Sequence, residues 1–216
     1  MRHRRRLRKV AQPARKRLRR LRHLAETVDR ADLAKAERTI AHVAIELLTL
    51  WSNFVRSYYV ACALGARRGR HSRVRTSKPY ASVNDAIGAA IAKFRPSAVP
   101  RSTGLWHRRD EPTWHDNQTL ITLAKDAKWS NEEVVAAALS IKGVRGALDL
   151  PVFRNFYAHR NPETLKTASQ LGPQYGIPQH RRLSEILLAV PKGGHEALLL
   201  QWIGEFDIII EWLCEK

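Results

Sequence analysis

The chain has 216 residues, 44% of them hydrophobic, and a formal net charge of +18. Its six Trp, five Tyr and five Phe argue against wholesale disorder, and no apolar run of about 18 residues offers a membrane-spanning helix. Only Cys62 and Cys214 are present and they form no CxxC pair, so the usual zinc and thiol-redox signatures are missing and a reducing cytoplasm is the expected compartment.

The charge is unevenly placed. Residues 1–22 carry 12 Lys or Arg and no acid. Residues 67–78 carry six more (Arg67, Arg68, Arg70, Arg73, Arg75 and Lys78), again with no acid. What remains balances at 20 basic and 20 acidic residues. The expectation is a neutral globule, residues 25–216, with a basic tail over 1–24 and a basic loop over 67–78. With no acidic i,i+4 partner to offset arginine repulsion, the tail is predicted to be disordered, or helical only when bound. No apolar stretch follows the first basic residues, so no secretory leader is expected. Such segments attract polyanions, nucleic acid first, although an arginine-biased proteome gives the same richness. No membrane partner is expected.

Leu33, Ala36, Ile40, Val43, Leu47, Leu50, Phe54 and Tyr58 recur at three- and four-residue spacing and predict a long helix over 32–64, stopped by Gly65. Ser82 opens a second helix with Asp85 near a capping-box position, and Pro96 closes it. Residues 96–112, with three Pro and three Arg, read as a long connection. A helix around 113–128 follows. Ser130 with Glu133 forms an S-x-x-E capping box for the next helix, which Gly143 closes. Asp149 is expected to cap a short helix from Leu150, with Pro151 in its first turn, ending near Arg160. Asn161 caps another helix with Pro162 at its first position, ended by Gly172-Pro173. Helices around 180–190 and 195–214 complete the chain. No segment alternates like a strand, so the fold class is all-α, an antiparallel up-and-down bundle.

The chemistry concentrates in Phe153-Arg154-Asn155-Phe156-Tyr157-Ala158-His159-Arg160-Asn161. On a helix, Asn155 and His159 share a face, and the long Arg154 side chain reaches back toward the imidazole. His is the side chain best matched to proton transfer near neutral pH. Arg supplies a permanent charge and a planar fork for phosphate oxygens. Asn can hold the imidazole or donate to an oxyanion. Other Arg/His pairs at similar spacing (Arg17/His23, Arg101/His107, Arg108/His115 and Arg109/His115) lie in the tail or the connection and lack the Asn.

This segment resembles the R-x4–6-H motif of HEPN domains, the higher eukaryote and prokaryote nucleotide-binding family. Arg154-Asn155-x-x-Ala158-His159 follows the common form, with a polar residue straight after the Arg and Ala before the His. The resemblance implies a four-helix core, homodimerisation, two motifs meeting across the dimer cleft, and metal-independent RNA cleavage to a 2′,3′-cyclic phosphate, without a cofactor. It also implies Arg154 and His159 as the catalytic pair with Asn155 orienting, and a toxin or defence setting with a possible antitoxin partner. Arg160 and the loop arginines Arg67, Arg68, Arg70, Arg73 and Arg75 are the expected RNA contacts. The long first helix, the tail and the 96–112 connection depart from the compact family pattern. The rival reading is a non-catalytic helical module that binds RNA or a protein partner. Trp106, His107, Arg108, Arg109, Trp114, His115 and Asp116 can either stack bases or line an RNA path or anchor a loop, and anchoring is the preferred reading.

Overall fold

The computed structural model describes residues 6–68, 72–178 and 182–215. Among them the regular structure is almost all helical: α1 (Leu7–Glu26), α2 (Leu33–Ala63), α3 (Val83–Phe94), α4 (Asn117–Asp126), α5 (Glu132–Leu139), α6 (Gly146–His159), α7 (Pro162–Ser169), α8 (Leu171–Gln174), α9 (Leu183–Leu188) and α10 (Leu198–Glu215). The all-α expectation holds. One small exception stands in the basic loop, where β1 (Arg67–Arg68) pairs antiparallel with β2 (Ser72–Arg73). Two-residue strands are too short to show alternation in a sequence.

The chain divides into two compact units. The first comprises residues 1–14, 51–141 and 209–216, the second 15–50 and 142–208. Over Leu7–Glu26 the tail expected to be disordered is instead the helix α1, whose residues fall in both units. Leu7, Ala11, Leu18, Leu21 and Ala25 are buried. They recur at helical spacing between the arginines and form an apolar stripe. In the second unit the missing anions come from remote sequence. Arg15 makes a two-pronged bond to Asp207 at 2.7 and 2.9 Å. Arg17 pairs with Glu46, and Arg22 with Glu196.

In the first unit, α2 carries Trp51, Tyr58 and Tyr59 into the core, where Tyr58 and Tyr59 pack on Trp129. The predicted start of α3 holds, since the Ser82 hydroxyl accepts the Asp85 backbone N–H at 3.1 Å. The predicted capping box at Ser130 does not form. Its hydroxyl accepts the Arg75 backbone N–H at 3.0 Å instead, and Asn131 takes the N-cap position while donating to the buried Tyr58 hydroxyl at 2.8 Å.

The long connection is held down along its length. Arg95 donates to the Arg109 carbonyl at 2.6 Å, and Asn84 to the Gly104 carbonyl at 3.0 Å. Trp106 lies against Gly88, where a Cβ would come within 2.5 Å of the indole nitrogen. Trp114 is buried. The aromatic cluster is a loop anchor, as preferred, and Arg101 is spent on His107 Nδ1 at 3.1 Å.

Candidate functional site

The site sits at the end of α6, in the second unit. This helix starts four residues earlier than predicted, at Gly146. Asp149 is therefore not its cap but a buried residue inside its first turn. The Asp149 carboxylate accepts Arg145 Nε at 2.8 Å and the Tyr175 hydroxyl at 2.6 Å. The cap comes from α10, where Glu205 Oε2 accepts the backbone N–H groups of Arg145 and Gly146 at 3.1 and 2.7 Å. Gly146 permits this approach, since a Cβ there would lie 2.9 Å from that oxygen and 3.1 Å from Trp202. The Arg145–Asp149 i,i+4 spacing was visible in the sequence. Tyr175 and Glu205 carried no signal.

Burial pushes the Glu205 carboxyl above its usual range, against the lowering effect of the Gly146 and Arg145 N–H groups. A carboxyl raised in the fold favours the folded state at low pH and loses that contribution as pH rises through the folded value. Glu205→Gln keeps an acceptor, so its stability is expected to fall less than that of wild type between about pH 4 and 7. Glu205→Ala removes the cap and is expected to cost about 1–2 kcal/mol. Thermal unfolding at pH 4, 5.5 and 7 measures both.

Beyond its start, α6 is fixed by one face. Leu150, Phe153 and Tyr157 are buried at helical spacing, with Phe153 edge-on to Trp202 at 5.6 Å. Truncating Phe153 would cost about 3–5 kcal/mol on the usual scale for a buried aromatic. The Tyr157 hydroxyl is pushed up by burial and by the neighbouring Glu37 carboxylate, with Arg160 acting in the opposite sense. Glu37 also accepts the Ser184 backbone N–H at 3.3 Å.

The opposite side of the same turns carries the predicted chemistry. Arg154, Asn155, His159 and Arg160 are all exposed. The described residues provide no hydrogen-bond or ion-pair partner for the side chains of Arg154, Asn155 and His159. His159 is the last residue of α6. Arg160 follows in the left-handed conformation, φ 48° and ψ 40°, and its N–H closes the helix on the Phe156 carbonyl at 2.7 Å. Asn161 then caps α7 as predicted, accepting the Thr164 N–H at 2.8 Å, with Pro162 next. The turn thus fixes His159 between two helix ends. A non-glycine residue pays about 1–2 kcal/mol in the left-handed region. Arg160→Gly is therefore expected to raise stability by about 0.5–1 kcal/mol, read by chemical denaturation.

Together these groups offer a proton carrier, a fixed positive charge and a neutral polar group on one open surface. They do not line the cavity of about 280 Å³ formed by Arg30, Leu33, Ala36, Ser184, Glu185, Leu188 and Ala189. Among the described residues, no group of three or more His, Cys, Asp and Glu is placed to hold a metal ion, and no helix is long and apolar enough to cross a membrane.

The loop arginines lie in the first unit. Arg68 is half-buried and points a guanidinium nitrogen at the Trp212 carbonyl, 3.5 Å away at the end of α10. Arg73 is exposed but donates Nε to the Gly65 carbonyl at 2.9 Å. Arg67 is half-buried and Arg75 exposed. Arg70 lies outside the described residues. Of the expected RNA contacts in this loop, Arg68 is thus turned inward and Arg73 is partly engaged. No family model, curated protein or solved structure matches the chain.

Proposed function

We propose that the chain is a HEPN-like, metal-independent endoribonuclease that works as a homodimer. The observation that carries the reading is the exposure of Arg154, Asn155 and His159 together on the closing turns of α6, beside a buried face that fixes the helix. A merely structural Arg and His at a helix end would more often be bonded to carbonyls or acids.

In this reading His159 takes the proton of a ribose 2′-hydroxyl as its oxygen attacks the adjacent phosphorus. The bond from phosphorus to the 5′-oxygen breaks, and that oxygen leaves with a proton returned by the imidazole of the same or the facing motif. The products are a 2′,3′-cyclic phosphate and a 5′-hydroxyl. Because the nucleophile is internal to the substrate, no metal-activated water is required. Arg154 stabilises the charge that builds on the pentavalent phosphorus, where a planar fork matches two oxygens. Asn155 orients the imidazole or the phosphate. A second copy of the open surface would supply the facing wall and exclude water. The setting proposed is a cytoplasmic toxin or defence effector, held in check by an antitoxin protein.

The test is to incubate the full chain with a mixed RNA pool and map the product ends. Cyclic phosphates at 3′ ends and hydroxyls at 5′ ends are expected. Products with 3′-hydroxyls would require a different nucleophile and overturn the mechanism.

A further inference from the structure

The fold sorts the cations of α1 into two sets. In the second unit, Arg15, Arg17 and Arg22 each receive a carboxylate from elsewhere in the fold: Asp207, Glu46 and Glu196. Lys16, Arg19, Arg20 and His23 are exposed and have no side-chain partner among the described residues. These four, with Leu24, line a shallow surface groove of about 560 Å³. Their spacing of three, four and seven residues places them along one side of the helix.

We infer that this groove is a track for the phosphate backbone of an RNA strand. The inference rests on RNA being the substrate, and it assigns the surface that gathers the strand. Lys16 to His23 spans about 10 Å at helical rise, the length of about three phosphates at 3.4 Å per stacked nucleotide. The cations stand on a helix already ordered by burial of Leu18, Leu21 and Ala25, so binding does not have to order the backbone as a disordered tail would. Partly exposed Leu24 adds an apolar edge for a sugar or base. Asp207, Glu46 and Glu196 are committed to the other three arginines.

The test reads binding in a His159→Ala background, so cleavage does not intrude. The probe is a fluorescent 20-nucleotide poly(U), titrated from 50 to 200 mM salt. Replacing Lys16, Arg19 and Arg20 together by Gln is expected to flatten the slope of log K against log salt by about two, at about 0.7 per phosphate released on a single strand. The affinity advantage of the parent over the triple variant should then shrink about twenty-fold across that salt range. Arg17→Gln, which removes a paired cation, is expected to keep the parental slope. Single Arg20→Gln, with a slope change of about 0.7, serves if the triple variant melts early. A parental slope in the triple variant overturns the inference, as does an equal change in Arg17→Gln. Retained poly(U) binding with lost binding to phosphatidylserine vesicles would overturn it in favour of a membrane surface. Failure here leaves the cleavage chemistry at Arg154 and His159 untouched, and loss of cleavage with an intact slope leaves the groove.

Discussion

His159→Ala is expected to lower RNA cleavage about a thousand-fold, the middle of the range for losing a positioned acid–base group. Arg154→Ala is expected to lose about a hundred- to a thousand-fold, as when one donor to a developing oxyanion is removed. Neither change should move unfolding by more than about 0.5 kcal/mol, because both side chains are exposed and exposed substitutions away from caps and networks have small effects. The contrast between activity and stability gives the prediction its force. Cleavage rates and chemical denaturation on the same preparations measure it. A structural His would produce the reverse, a loss of stability with cleavage falling only in proportion to the unfolded fraction.

A large effect on stability is expected at Glu111, in the first unit. Glu111 is buried and collects four hydrogen bonds. Arg56 donates at 2.6 and 2.8 Å, the Trp114 indole at 2.7 Å and Arg108 at 3.3 Å. It joins α2 to the end of the long connection. Burial alone would raise its pKa, but the Arg56 and Trp114 hydrogen bonds outweigh that and bring it below the usual 4.5. Glu111→Ala would strand the Trp114 N–H and leave Arg56 without its anion. Breaking such a pair costs about 3–5 kcal/mol when fully buried, and Arg56 keeps 28% exposure, so about 3 kcal/mol is expected. For a chain of this length that lowers the thermal midpoint by about 6–12 °C. The sign with pH follows from the lowered value. The stabilisation is fully present above the unfolded carboxyl range and is lost as pH falls through the folded pKa. The gap between wild type and Glu111→Gln should therefore close in acid, and thermal melts from pH 7 to pH 3 read it directly.

Elements whose signals are local were legible in the sequence. The 33–63 helix follows from its periodic apolar residues, α3 from Ser82 and Pro96, and α7 from Asn161-Pro162. Each carries its own stripe or cap. The motif on α6 was legible too, together with its exposure at a helix end. What failed depended on partners far away in sequence. The arginines of α1 read as mutually repulsive because Asp207 and Glu196 lie 192 and 174 residues distant. Asp149 read as a cap because nothing in its neighbourhood announces Tyr175 or Glu205. Ser130 has a faultless local capping pattern, yet its hydroxyl is more useful to the Arg75 backbone, 55 residues away. Arg68 counted as a free cation by composition, and only folding turns it toward the end of α10. A charge count gives the number of cations, whereas the fold decides which remain available.

The proposal stands most directly on cleavage of a mixed RNA pool in excess EDTA by wild type, Arg154→Ala and His159→Ala in parallel. Cutting by wild type alone, with cyclic-phosphate ends, is the predicted result. RNA bound but left intact by all three proteins would contradict it, and would make the chain a helical RNA-binding module rather than a nuclease.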